Sequence, residues 1–241
     1  MENYLYQDLF ELEEKHWWHL AKRSLCVELI NSYIKRTDLK ILDIGCGTGR
    51  NMQEFARFGI AQGVDQSQEA INFCKKRGLT HVQIDKSEHT DFKEQKFDLV
   101  TMLDVLEHTD DEMTIAETAR ILKSGGYLLI TVPAFQWLWS RWDVVLHHKR
   151  RYTVADLTRL LEKHGLSIVK ASYAFSFLVL PILMIRLIKS LLYKKDYPSD
   201  FKISSPLINR IGLFICSLER WFIFKTGIPI GTSVICLARK I

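Results

Sequence analysis

The chain has 241 residues, 47% of them hydrophobic and 25% charged, enough for one α/β domain with a sizeable core and an appendage. The net charge of +5 is mild, and part of it stands in one block, His147-His148-Lys149-Arg150-Arg151, too narrow for the broad basic face of a nucleic-acid binder. The five cysteines (Cys26, Cys46, Cys74, Cys216 and Cys236) are odd in number, widely spaced and without a CxxC pair, which argues against a disulfide framework or zinc site and fits a reducing cytosol.

The N-terminal stretch MENYLYQDLFELEEKHWW is acidic and aromatic, unlike a signal or transit peptide. Leu5, Leu9 and Leu12 keep helical spacing, as do Leu25, Leu29 and Tyr33, so residues 1–38 are expected to form a helical arm or lid. Inside it, Glu14-Lys15-His16-Trp17-Trp18 has two readings. It is an aromatic lid packed on the core, or Trp17, Trp18 and Arg23 shape a cofactor pocket. Spacing does not separate them.

Residues 40–55, KILDIGCGTGRNMQEF, are the stretch around which the chain is organised. Ile41, Leu42 and Ile44 lead into Gly45, Gly47 and Gly49, and a helical pattern starts at once: strand, glycine turn, helix. Such glycines let the backbone turn tightly and let a ligand approach main-chain N–H groups. By itself the turn suits either a dinucleotide or a smaller nucleoside cofactor. A second strand, 61–64, ends in Asp65, about twenty residues past the first glycine, where an acid meets ribose hydroxyls in nucleotide folds. Ser67 caps the next helix, which carries Ala70, Ile71 and Cys74 and stops at Gly78. The third strand, 81–84, ends in Asp85, either an acceptor for an adenine amino group or a turn residue. The fourth, 97–102, runs into LDVLEH. Asp110 or Asp111 caps a helix with Ile115, Ala119 and Leu122 inward, closed by Lys123-Ser124-Gly125-Gly126, and the fifth strand is 127–132. This alternation predicts an α/β fold, a Rossmann-like doubly wound and mostly parallel sheet, with ligands beyond the strand C-termini. The glycine turn, Asp65, Asp85 and LDVLEH converge on that edge.

Across residues 39–133 the chain resembles the class I S-adenosylmethionine-dependent methyltransferases. LDIGCGTG looks like their first motif, GVDQS their ribose-binding strand end, and FDLVTMLDVLEH and LKSGGYLLITVP their later motifs. The Gly-x-Gly-x-Gly pattern, with Asp43 two residues ahead of it, differs from the Gly-x-Gly-x-x-Gly of dinucleotide enzymes. The resemblance implies a seven-stranded sheet and S-adenosyl-L-methionine as cofactor. It assigns to the cofactor Asp43, Gly45, Cys46, Gly47, Gly49, Asp65, Gln66, Asp85 and Leu103, with Arg23 and Trp18 from the arm. The flanks EEKHWWHLAKR and VPAFQWLWSRWDVVLHHKRRYTVADL are similar to a bacterial subgroup associated with small-molecule or glycan pathways. Ser140, Asp143, His148, Arg150, Arg151 and Tyr152 fall on its pattern.

The implied activity is methyl transfer to a small-molecule, glycan or lipid-linked acceptor, foremost at oxygen. The alternative is a non-catalytic cofactor-binding scaffold. A sulfonium methyl is already activated, so alignment is the main task. A hydroxyl acceptor also loses a proton, which suits a base with a pKa near 6.5. His148 is the candidate base and Asp143 its orienter, with His108 the second candidate. The competing reading is a structural clasp, with His148 on a backbone carbonyl and Arg150 on Asp143 or Glu107. Arg150 and Arg151, with Tyr152 and Trp139, are the candidates for gripping an acceptor. No metal is expected, because Asp110 and Asp111 look like helix caps rather than ligands.

Thr153-x-x-Asp156 resembles a capping box for a helix through Leu157, Leu160 and Leu161 to Gly165. Strands at 167–172 and 232–238 complete a core of residues 39–174 and 227–241. Between them, 175–226 form an insertion. AFSFLVLPILMI is broken by Pro181, followed by Arg186 and Lys189, and shorter than the roughly 20 residues of a membrane span. A polar linker, 194–205, precedes an amphipathic helix with Ile208, Ile211, Ile215, Leu218 and Phe222 on one face and Arg210, Glu219 and Arg220 on the other. The insertion is a core or substrate lid, a homodimer interface, or a peripheral membrane contact through Trp221, Phe222 and Lys225. The expected location is cytoplasmic, or the cytoplasmic face of a membrane.

Overall fold

The computed structural model describes residues 4–192 and 205–241, so most of the polar linker lies outside the described residues. The arm is two helices, α1 (Tyr4–Lys15) and α2 (Trp17–Leu29). His16 between them caps α2, its side chain accepting from the Trp18 N–H. Then come β1 (Leu39–Ile44), α3 (Arg50–Phe55), β2 (Gly59–Asp65), α4 (Gln68–Lys76), β3 (Val82–Ile84) and β4 (Phe97–Leu103). They are followed by α5 (Asp111–Ile121), β5 (Leu122–Pro133), α6 (Arg141–Val145), α7 (Val154–Lys163) and β6 (Leu166–Ala174). The insertion supplies α8 (Val179–Leu192) and α9 (Pro206–Lys225), and β7 (Ser233–Lys240) ends the sheet.

The seven strands lie in the order β3-β2-β1-β4-β5-β7-β6. The first five pair in parallel, and β7 runs antiparallel between β5 and β6. Strand order reverses between β1 and β4, which puts the ligand crevice at their C-terminal ends. The central strands read as near-continuous apolar runs because both faces are covered. Leu42, Val100 and Ile130 pack on one side. Their neighbours Ile41, Leu99 and Leu129 face the other, against Leu25, Cys26 and Leu29 of α2.

Two expectations change. Leu122 is not the last turn of α5 but the first residue of β5, paired with Phe97, and the strand shifts register before Leu99. Pro181 does not break the apolar run; it sits in the first turn of α8, where no intrahelical donor is needed.

The helix α9 is amphipathic, and Asn209, Glu219 and Arg220 turn toward the protein beside the buried Gly212 and Ile223, while Arg210 is exposed. Glu219 is buried and accepts from the N–H groups of Phe175 (2.7 Å) and Ser176 (2.6 Å). Arg220 pairs with Glu28 of α2 at 2.7 Å. Asn209 accepts from the Trp17 N–H at 3.0 Å and donates to the Lys15 carbonyl at 2.9 Å. The contact is close enough that a Cβ on Gly212 would stand 2.7 Å from the Trp17 ring. Ile208, Ile211, Phe214, Leu218, Trp221 and Phe222 are left at least half exposed. Among the described residues no helix is long and apolar enough to cross a membrane.

Candidate active site

The glycine turn carries Gly45, Gly47 and Gly49 at φ of +66°, +54° and +85°, a region other L-residues adopt at a cost. Asp65 closes the turn from the next strand. One carboxylate oxygen accepts from the Gly47 N–H (3.0 Å), the other from the Ser67 N–H (2.9 Å). Burial raises its pKa against those bonds. Asp43 lies within the sheet and accepts from the Thr101 hydroxyl at 2.6 Å, so it ties β1 to β4. Burial pushes its carboxyl up to about 7. Cys46 is buried with its sulfur 3.9 Å from that of Cys74. Gln66 is exposed, and Leu103 is partly buried at the end of β4. Asp85 serves its own turn, accepting from the N–H groups of Lys86 (2.8 Å) and Asp91 (3.1 Å).

The arm covers this edge, in part with Tyr6 and Glu13, which sequence reasoning did not single out. The Leu9 side chain would be 3.8 Å from a Cβ on Gly47. Tyr6 is buried beside Asp65 and Ser67, and burial, then the Asp65 charge, raises its hydroxyl to about 12. Glu13 accepts from the Thr48 hydroxyl and pairs with Arg77 at 2.5 Å. Arg23 is buried and donates to the Glu13 carbonyl at 3.0 Å, so it braces α1. Trp17 and Trp18 pack on Phe177 and Phe175, ring centroids 5.8 Å apart in both pairs. Trp18 also carries the Lys22 ammonium 3.7 Å from its centroid, and Lys22 pairs with Asp104 at the end of β4. The cluster packs on the core and, through Lys22, reaches Asp104 after β4.

The segment after β4 meets the loop after β5. Glu107 is fully buried, and neither carboxylate oxygen accepts a hydrogen bond. Burial, then the charge of Asp104, raises its pKa well above the usual range. His148 holds Asp143 through Nδ1 at 2.9 Å and turns Nε2 toward Glu107 at 3.9 Å. His108 lies edge-on to His148, centroids 4.8 Å apart, with its own Nδ1 3.4 Å from the His147 carbonyl. Burial, then His148, lowers His108 to about 4, so its imidazole is neutral at neutral pH. The Lys149 N–H donates to the Glu107 carbonyl at 2.7 Å and pins the loop to β4.

Asp143 organises that loop. It is buried in the first turn of α6 and accepts from the Ser140 N–H at 2.7 Å, completing a capping box. Arg151 grips it with two bonds, 2.7 and 2.9 Å. Burial raises its pKa, but His148, Arg151 and Ser140 outweigh that and hold the carboxyl well below its ordinary range. The clasp differs from the expected pairing. Arg150 pairs with Asp111 (2.5 Å) and Arg151 with Asp143, while the backbone carbonyl is taken by His108 rather than His148. Tyr152 is buried, its hydroxyl donating to Asp111 at 3.2 Å. Arg150, Arg151 and Tyr152 thus serve the clasp. Trp139 is partly buried in the turn leading into α6.

Residues 42–130, which hold the turn, Asp65, Glu107 and His108, match the family described as methyltransferase domain. Over that stretch the chain is similar to class I methyltransferase domains. It is 30% identical over 141 residues to a ubiquinone biosynthesis O-methyltransferase of Proteus mirabilis, covering 52% of this chain and 58% of that protein. It is 30% identical over 154 residues to the Bartonella quintana protein of that name, covering 55% and 62%. The chain thus matches less than two thirds of the length of these relatives. Among solved structures it resembles a putative sarcosine dimethylglycine methyltransferase from Galdieria sulphuraria (TM-score 0.62, 16% identity, 92% of this chain and 86% of that one). It also resembles a geranyl diphosphate methyltransferase in complex with GPP and sinefungin (TM-score 0.63, 14% identity, 92% and 78%). At such identities the likeness speaks for the fold. The cofactor of this family, S-adenosylmethionine, suits the edge. The floor at Gly47 is bare backbone faced, among the described residues, by Leu9 alone, and the Asp65 carboxylate retains lone pairs for ribose hydroxyls. Leu9 and Tyr6 lie nearest that surface.

Proposed function

We propose that the protein transfers the methyl group of S-adenosylmethionine to an oxygen atom of a small-molecule, glycan or lipid-linked acceptor. The observation that carries this reading is the Asp143–His148 pair facing the buried Glu107 on the same sheet edge as the glycine turn. The bound cofactor supplies a methyl already activated on a sulfonium sulfur. The glycine turn and Asp65 hold its nucleoside end, and the β4 end faces the acceptor. The acceptor proton leaves to His148 at Nε2, and Asp143 on Nδ1 steadies the imidazolium that forms. The O-methyltransferase names of the curated relatives support oxygen as the acceptor atom.

Incubation with methyl-labelled cofactor and bacterial metabolite or lipid extracts tests this. Label is expected in an O-methyl product. Cofactor binding by calorimetry without any label transfer would reject the enzyme in favour of a non-catalytic scaffold.

We infer further that α9 docks on a membrane surface at the cytoplasmic side, which would suit a lipid-linked acceptor. The half-exposed stripe from Ile208 to Phe222, with Trp221 in it and Lys225 at its end, supports this. Wild type is expected to co-sediment with anionic phospholipid vesicles. The Phe214→Asp/Trp221→Asp variant should stay in the supernatant with an unchanged Tm, because both side chains face outward. Equal sedimentation of the two, or of neither, overturns the docking. A concentration-dependent dimer that this variant abolishes would point to self-association instead.

A further inference from the structure

We propose that Glu107, His108 and His148 form a binding site for a divalent first-row metal ion. One ligand atom from each residue lies within 4.8 Å of the other two. Glu107 is 0% exposed and its carboxylate accepts no hydrogen bond. A buried carboxylate in that condition costs several kcal/mol unless a charge compensates it. The nearby ammonium of Lys22 is committed to Asp104.

The two imidazoles supply the independent observation. A carbonyl can only accept, so His108 donates Nδ1–H to His147 across 3.4 Å and keeps the Nε2 lone pair. Arg151 holds both oxygens of Asp143, which accepts the Nδ1–H of His148 at 2.9 Å, so His148 also presents a bare Nε2. A carboxylate or carbonyl on Nδ1 with the metal on Nε2 is the usual outer support of a metal-binding histidine. The His148 Nε2 and Glu107 oxygen are 3.9 Å apart, a span that two bonds of about 2.0–2.2 Å to one ion bridge. Two imidazoles and one carboxylate favour Zn²⁺, Mn²⁺, Fe²⁺ or Co²⁺ over Mg²⁺ and Ca²⁺. Three protein ligands leave coordination positions open.

One consequence rests on the oxygen-acceptor reading. An ion held by Glu107, His108 and His148 would supply Lewis-acid chemistry, lowering the pKa of a hydroxyl at an open position so that its proton would pass to solvent and its oxygen would keep the electron pair that attacks the methyl carbon. With the ion bound, His148 Nε2 would be a ligand and water would receive the proton in its place; without it, His148 remains the base.

The test is titration of the EDTA-stripped full chain with Co²⁺ alone, read by its visible ligand-field bands, and with Zn²⁺ by calorimetry. One ion per chain is expected, with Glu107→Gln and His108→Ala each weakening binding at least tenfold. Circular dichroism and calorimetry with the cofactor check that both variants are folded. Folded variants that bind Co²⁺ as well as wild type, or a wild type that binds none, overturn the site. Full turnover by stripped protein overturns it as well and leaves the methyl-transfer reading standing. Stoichiometric Co²⁺ binding without methyl transfer does the reverse.

Discussion

His148→Ala is expected to lower turnover about 10²–10⁴-fold while leaving S-adenosylmethionine affinity within about twofold. The asymmetry comes from position. In the proposed arrangement the cofactor's nucleoside end meets the turn after β1 and Asp65 at the end of β2, whereas His148 comes from the loop after β5. Its Nδ1 is fixed by a carboxylate that Arg151 and Ser140 also hold, so one orientation of the ring is enforced before an acceptor arrives. Alanine removes the group that links the ionised Asp143 to the buried Glu107 across the crevice. The expectation is the same whether Nε2 takes the acceptor proton or ligates an ion; cobalt titration separates those roles. Single-turnover rates and calorimetry with an identified acceptor check it. A loss under tenfold, or one that tracks cofactor affinity, rejects the role.

Asp143 responds to acid through stability rather than through turnover. Its folded-state pKa is depressed, so its contribution to stability is complete above the unfolded value near 3.9 and is lost as pH falls toward the folded value. Across any neutral assay range the carboxylate stays charged, and an acidic limb in the rate profile belongs to other groups.

Much of the fold was legible because two-sided burial leaves a plain mark. Runs such as Ile41, Leu42 and Ile44 can hardly be anything but an interior strand once a glycine turn comes after them. The cofactor edge was legible because turn chemistry and strand-end acids are fixed by local backbone geometry. Pairings across the site were not. Arg150 and Arg151 are adjacent in sequence, and successive side chains on extended backbone point to opposite sides, so one reaches Asp111 and the other Asp143. No periodicity announces that Leu9 and Tyr6 overlie the glycine turn, since the same spacing serves any helix packed on any surface. Glu107 was visible as a residue of LDVLEH, but its burial without a hydrogen-bond partner is a tertiary fact. The insertion gives the clearest case. Helical periodicity defines two faces of α9 and does not say which meets the protein. Glu219 turns inward because its partners, two otherwise unmet N–H groups after β6, lie there, more than forty residues away in sequence.

That junction makes Glu219→Ala the second large effect: a loss of about 3–5 kcal/mol of stability is expected, a fall in Tm of roughly 8–15 °C for a chain of this size. The Phe175 and Ser176 N–H groups donate to the Glu219 carboxylate at 2.7 and 2.6 Å, and the Ser176 hydroxyl adds a third bond at 2.5 Å. Phe175 has φ of +58°, so the chain turns there through a conformation that needs external support. Alanine leaves two inward-facing donors without an acceptor, and each such group costs about 1–3 kcal/mol. Glutamine keeps one acceptor oxygen but turns an NH₂ toward a donor, so Glu219→Gln should fall between alanine and wild type. Arg220→Ala on the same helix is the comparison. Its pair with Glu28 is partly solvated, and its loss is expected to cost less than about 1 kcal/mol. Chemical denaturation of the three variants gives the ranking. If Glu219→Ala costs no more than Arg220→Ala, the inward Glu219 is not what seats α9. If it costs the full amount, the helix is held by Glu219, and its apolar stripe is left available to a bilayer.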